Sequence, residues 1–270
     1  MLIRPLDREV LRESFRNAKP FPFVLIEDFL DPAFAAEVAA SLPSFEKAAS
    51  EGHQFQRVNE SKKVQLTDPA QFSEPVRRLH EALRSPAFLE DLAAISGIPH
   101  LLADEQLRGG GVHVTGPTGR LDVHADFNLI RDRGLHRRLN LLLYLNPVWE
   151  DAWGGLVELW DREVKVCHQA IAPRLNRCVI FETSDHSFHG VTPVRTPPGV
   201  ARKSFAAYYY TREAPAGWDG SFHTTVFKAR PDEHLRRYVL MPAERLQKNL
   251  RRVSRAAWKR VAGTREPRGH

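Results

Sequence analysis

His124-Ala125-Asp126 sets an imidazole and a carboxylate two positions apart in extended-looking sequence. On a strand, residues i and i+2 project from the same face, so both side chains can reach one ion. His189 follows Asp126 by sixty-three residues, just after an apolar run. Two histidines and one carboxylate on one side of a metal leave the opposite positions open, the arrangement suited to non-haem Fe(II) oxygen chemistry. By itself a His-x-Asp is a weak signal, because a surface histidine beside a turn aspartate has the same spelling. His186, three residues before His189, is a rival for the third position.

The flanks give the trio its context. Residues 138–146 read Arg-Leu-Asn-Leu-Leu-Leu-Tyr-Leu-Asn and lead through Pro147-Val148-Trp149 to Gly154-Gly155. After His189 comes Gly190-Val191-Thr192-Pro193-Val194. Arg202-Lys203-Ser204 then opens a strand ending in Tyr208-Tyr209-Tyr210.

Three stretches must position these residues. Residues 98–215 break into apolar or β-branched runs separated by Gly, Pro, Asn and Asp. The spacing predicts strands at 111–115, 138–145, 156–159, 164–170, 178–181 and 204–211. Such strands suggest a sandwich or barrel and not parallel βαβ units. Residues 1–97 read mostly as helical support for the same domain, after a short buried strand at 23–27. Asp31-Pro32, Ser73-Glu74-Pro75 and Ser85-Pro86 are helix starts, and Gly97 closes the last helix. Phe34, Val38 and Leu42 recur four apart and mark one apolar face. Residues 216–270 read as a basic amphipathic helical extension. Pro242 can open its helix, and Arg245, Lys248, Arg251, Arg252, Arg255 and Lys259 surround the stripe Leu246, Leu250, Val253 and Ala257.

Composition narrows the function classes. The 270 residues are 42% hydrophobic, enough for a real core. No run approaches the ~18 consecutive apolar residues of a membrane span. The first residues carry charge where a signal peptide needs an apolar stretch. Cys167 and Cys178 are too few for a disulfide framework or a four-cysteine zinc site, so the expected compartment is a reducing cytoplasm. The net charge of +6 is localised: residues 228–270 hold thirteen basic against four acidic residues, and the remainder is net negative by three. With only Tyr238 and Trp258 as aromatics there, this tail does not read as a nucleic-acid surface.

The combined order His-x-Asp, Tyr-Leu-Asn, Gly-Gly, His and Arg-x-Ser resembles the 2-oxoglutarate- and Fe(II)-dependent oxygenases, in their prolyl-4-hydroxylase-like branch. The resemblance covers residues 105–212, with a fainter echo in Ile-Glu-Asp-Phe-Leu at 26–30. It implies a double-stranded β-helix, the jelly-roll, cupin-like core, with flanking helices. It implies His124, Asp126 and His189 as iron ligands. His189 is favoured over His186 because the family sets its distal ligand directly before a stretch like Gly-Val-Thr-Pro-Val. Arg202, thirteen residues after His189, stands where the family places the base for the distal carboxylate of 2-oxoglutarate, a task that suits a guanidinium fork. Ser204, on the same strand face, and Tyr144 are implied as further co-substrate contacts. His113 stands nearest to the place where the family usually brings a tyrosine, and its role stays open.

The implied reaction uses Fe(II), 2-oxoglutarate and O₂. It hydroxylates an unactivated C–H bond of a peptide residue or small metabolite and converts 2-oxoglutarate to succinate and CO₂. The alternative is a degenerate metal-binding barrel that serves as a binding or scaffold protein. Arg131, Arg133, Arg137 and Arg138 follow the metal motif; they read as a solvated turn, with recognition of an anionic substrate as the second reading. The basic tail reads as a helix packed on the barrel, with docking to a membrane surface or a protein as the second reading.

Overall fold

The computed structural model describes residues 1–242. The chain divides into two units, Met1–Lys228 and Ala229–His270. In the second, a single helical turn spans Arg236–Leu240. The apolar stripe expected at 246–257 lies outside the described residues. No described helix is long and apolar enough to cross a membrane.

Five helices precede the metal motif: α1 (Arg8–Asn17), α2 (Pro32–Ser41), α3 (Phe45–Glu51), α4 (Glu74–Leu83) and α5 (Pro86–Ser96). The predicted start signals work as capping chemistry. Asp31 Oδ1 accepts from the Phe34 N–H at 3.0 Å, and Ser85 Oγ accepts from the Phe88 N–H at 3.3 Å. Each satisfies one of the donors a helix N-terminus leaves unpaired. Gly97 ends α5 in the left-handed region, at φ 72°.

Among the described residues thirteen strands occur in chain order: β1 (Phe23–Ile26), β2 (His53–Gln56), β3 (Glu60–Leu66), β4 (Leu102–Ala103), β5 (Gly111–Ala125), β6 (Leu129–Ile130), β7 (Leu135–Tyr144), β8 (Val157–Trp160), β9 (Cys167–Ile171), β10 (Cys178–Glu182), β11 (Phe188–Val191), β12 (Arg202–Thr211) and β13 (Val226–Lys228). The main path runs β1-β10-β7-β12-β5-β11-β8-β9, antiparallel throughout. Strand β5 joins the two halves: residues 111–115 pair with β12, and Leu121 and His124 pair with β11. The sheet thereby curls into the expected double-stranded β-helix.

The period-2 alternation of the strands divides two environments. On β7, Leu139, Leu141 and Leu143 face the helices and join a core with Val38, Leu79, Leu83, Phe88 and Leu92. Asn140 and Leu142 line the cavity on the other side. On β12, Phe205 and Tyr209 enter the helical core, while Arg202, Ser204 and Tyr208 face the cavity. A one-residue slip of either strand would exchange leucines for site residues, so burial of the helical face fixes the register of the site.

The structure departs from the sequence reading in the short strands β4, β6 and β11, which were not predicted, and in three longer respects. Residues 53–66 are not part of the helical layer. They form the hairpin β2–β3, and β3 pairs with β5. Their polar composition carries no apolar alternation; the backbone ladder to β5 holds them extended. Strand β5 runs ten residues beyond the predicted 115, through Gly116-Pro117-Thr118-Gly119. Residues 226–228, in the segment read as a helical extension, form a strand that pairs Phe227 with His124.

Candidate active site

His124 near the end of β5, Asp126 just beyond it and His189 on β11 converge in the curl. His124 and His189 are register partners, which brings two residues distant in sequence to one point. Their rings lie 4.3 Å apart between centroids. His124 Nε2 is 3.6 Å from Asp126 Oδ1, and His189 Nε2 is 3.5 Å from Asp126 Oδ2. All three ligating atoms fit within 4.8 Å of one another. His186 lies exposed outside this cluster.

Each imidazole is locked in the orientation a metal requires. His124 Nδ1 bonds the Asp122 carbonyl at 2.9 Å, and His189 Nδ1 bonds the Ser187 carbonyl at 3.0 Å. A carbonyl only accepts, so Nδ1 carries the hydrogen and Nε2 presents its lone pair to the centre. Burial, with the neighbouring His124, pushes the His189 pKa down to about 3, so its imidazole is neutral at physiological pH. For Asp126, burial favours the protonated acid, but the Arg137 guanidinium and the two imidazoles reverse this and hold its pKa well below the usual carboxylate range. Two imidazole nitrogens and one carboxylate fit a divalent ion with open positions.

A supporting group missed in the sequence holds the carboxylate. Asn140 Nδ2 donates to Asp126 Oδ2 at 2.7 Å, and its own oxygen accepts from Arg137 Nε at 2.9 Å and from Thr183 Oγ1 at 3.1 Å. Arg137 Nη2 lies 3.1 Å from the same Asp126 oxygen. Asn140 had a sequence signal, a lone amide inside a leucine run. Arg137 had none, and it is not the solvated turn residue expected: it is 3% exposed, on β7. Its neighbours behave differently. Arg133 pairs with Asp104 at 3.2 Å, and Arg131 lies over the Phe222 ring.

Beside the trio lie the residues expected to contact the co-substrate. Arg202 is 4% exposed, and its Nε donates to the Gly155 carbonyl at 2.7 Å. His113, Ser204 and Tyr144 form one row across β5, β12 and β7. Ser204 and His113 line the cavity, and His113 Nε2 donates to the Gly109 carbonyl at 3.0 Å. Tyr144 sits instead in the interior cluster with Val179 and Phe181, its ring 4.9 Å from the Arg202 guanidinium. Its hydroxyl is buried without a hydrogen-bond partner, and burial pushes its pKa up to about 12, so it is a phenol, a donor. A buried guanidinium beside a neutral phenol fits a carboxylate ligand.

The Gly-Gly pair explains itself here. Gly155 is at φ +64°, and a Cβ on it would lie 2.9 Å from Trp149 and 3.1 Å from the Arg202 Cδ. Both the left-handed backbone and the close approach demand glycine. Trio and pocket open on one cavity of about 290 Å³, which Phe55, Phe127 and Phe227 also line.

A metal-ready facial trio and a buried arginine pocket at the mouth of a double-stranded β-helix define the non-haem iron, 2-oxo-acid class. Residues 110–210 match the 2OG-Fe(II) oxygenase superfamily. These residues are a 2-oxoglutarate/Fe(II) oxygenase domain of the prolyl-4-hydroxylase-like type, and that family uses Fe(II), 2-oxoglutarate and O₂. Among curated proteins, the prolyl 3,4-dihydroxylase OGFOD1 of Ostreococcus tauri is 29% identical over 230 residues, 74% of this chain. This chain spans only 40% of that relative. Two solved structures share the fold, each at 19% identity over 75% of this chain. They are a Pseudomonas putida prolyl-4-hydroxylase (TM-score 0.51, 99% of that chain) and a Trichoplax adhaerens prolyl hydroxylase (TM-score 0.54, 90% of that chain).

Proposed function

We propose that this chain is a 2-oxoglutarate-dependent Fe(II) dioxygenase that hydroxylates an unactivated C–H bond, with a prolyl residue or prolyl-like ring as its substrate. The observation that carries this reading is the shared cavity: the three ligating atoms and the buried Arg202 open on the same space. A generic metal barrel has no use for that arginine, because an unpaired buried cation is costly. The curated relative is named as a prolyl dihydroxylase, which supports the prolyl assignment.

In this reading His124, Asp126 and His189 hold the ion on one side, and Asn140 and Arg137 fix the Asp126 carboxylate. Arg202 takes the distal carboxylate of 2-oxoglutarate, with Ser204 and Tyr144 as neutral donors. The bound iron and 2-oxoglutarate supply the oxidising power, and the aromatic wall keeps water away from it. The substrate C–H approaches from the open side of the cavity.

The test is direct. Protein loaded with Fe(II) and 2-oxoglutarate without oxygen should develop a weak visible charge-transfer band. Admission of O₂ with a prolyl peptide should then release succinate in step with a +16 Da product. Metal binding without the band would favour the degenerate scaffold.

A further inference from the structure

The Gly154-Gly155 corner receives Arg202, but its own residues do not hold it in one shape. Both are at positive φ, +63° and +64°, a region that glycine enters without steric cost and leaves as easily. Their carbonyls go to different partners. The Gly155 oxygen accepts from Arg202 Nε at 2.7 Å, and the Gly154 oxygen accepts from the Trp149 indole Nε1 at 3.0 Å. Backbone pairing with Pro193 and Val194 holds the other side of the corner.

Trp149 also closes on the corner sterically. A Cβ on Gly155 would lie 2.9 Å from the benzo edge of Trp149 and 3.1 Å from the Arg202 Cδ. The indole and the arginine stem thus meet at one empty Cβ position, and the indole keeps the glycine against the stem. Trp153 braces the indole edge-on, at 5.6 Å between ring centroids. The segment that carries Trp149 is tied to the arginine's own strand as well. Asn146 Oδ1 accepts from the Lys203 N–H at 2.7 Å, and Asn146 Nδ2 donates to the Lys203 carbonyl at 3.1 Å. Residues 146–149 therefore grip Arg202 from two sides: the backbone next to it and the carbonyl that takes its Nε.

We propose that Trp149 is a positioning residue for Arg202, acting through the Gly154-Gly155 corner. Trp149 does not line the metal cavity, so its action on a ligand there is indirect. The role rests on the oxygenase reading above, in which Arg202 takes the distal carboxylate of 2-oxoglutarate.

Calorimetric titration of 2-oxoglutarate into Mn(II)-loaded protein tests the role. Trp149→Phe keeps a ring against Gly155 and loses the N–H. It should weaken 2-oxoglutarate binding by about fivefold, the loss expected for one neutral hydrogen bond, with Mn(II) affinity unchanged. Arg202→Lys keeps a charge in the pocket but lacks the Nε donor for the Gly155 carbonyl. In that background the same change at 149 should cost less than about twofold, because two residues that act through one contact are not additive. Should Trp149→Phe fail to fold, site-specific replacement of Trp149 by 3-benzothienylalanine, which puts sulfur in place of the N–H at nearly the same shape, takes its place. Unchanged 2-oxoglutarate affinity, equal losses in the two backgrounds or a matching loss of Mn(II) affinity overturns the proposal. Parent protein that binds Mn(II) but no 2-oxoglutarate refutes the oxygenase reading, and the positioning role falls with it.

Discussion

Arg202 and Gly155 are joined by a hydrogen bond of 2.7 Å from Nε to the carbonyl, across the two halves of the curled sheet. The bond uses the inner nitrogen of the guanidinium and leaves the outer pair for a ligand. A side chain at 155 would collide with Trp149 first and with the arginine stem next. The glycine and the arginine thus form one device, forty-seven residues apart in sequence.

If that device holds 2-oxoglutarate, removing the cation strands a carboxylate in a buried pocket. Breaking a buried charge pair costs about 3–5 kcal/mol. Arg202→Ala should therefore weaken 2-oxoglutarate binding by about 10²-fold or more, at about 1.4 kcal/mol per decade. Mn(II) affinity should be unchanged. Arg202→Lys should recover part of the loss, and Gly155→Ala should reproduce some of it by displacing the fork. Calorimetric titration of the Mn(II)-loaded variants reads all three.

The metal trio makes its own prediction. His124→Ala and Asp126→Ala should each abolish stoichiometric Mn(II) binding with the fold intact, while His186→Ala should bind as the parent does. Asn140→Ala leaves the ligands in place but frees the Asp126 carboxylate to rotate. Loss of such a supporting bond typically costs about 10- to 100-fold in metal affinity. Equilibrium dialysis with Mn(II) would rank the four, and an Asn140→Ala affinity equal to the parent's would remove Asn140 from the supporting set.

These variants also mark where sequence reading stops. His124, Asp126 and Arg202 were legible because their types and spacings are constrained by one strand each. Asn140 was legible only as an anomaly; its partner lies fourteen residues away, and nothing local says that β7 turns it toward Asp126. Arg137 resembles a turn arginine in sequence, since burial of a cation depends on which face of the strand it takes. The β2–β3 hairpin was invisible for another reason. Its extended form rests on backbone pairing to β5, which leaves no periodic trace in side-chain type.

The helical face that sets the register should be costly to weaken. Leu141 is fully buried between β7's neighbours and the helices. Leu141→Ala should lower stability by about 2–5 kcal/mol through lost transfer energy and a residual cavity. The denaturant midpoint should fall with little change in slope. A loss under about 1 kcal/mol, against that range for a buried leucine, would mean that the sheet and helices pack more loosely here.

His113 should make the metal-free protein sensitive to acid. Burial, reinforced by the charge of Lys63, sets its folded-state pKa well below the ordinary value of 6.5. The unfolded chain therefore takes up a proton near 6.5 that the folded chain refuses, and acid favours unfolding. The contribution is fully present above 6.5 and is lost as pH falls below it, at up to about 1.4 kcal/mol per pH unit for one such group. His113→Gln keeps a neutral donor for the Gly109 carbonyl but cannot titrate. Its unfolding midpoints at about pH 7 and about pH 5 should differ less than those of the parent protein. The remaining difference belongs to the other buried histidines, among them His80, whose pKa burial also lowers. Equal acid sensitivity in the two proteins would show that His113 takes up its proton in the folded state as readily as in the unfolded chain.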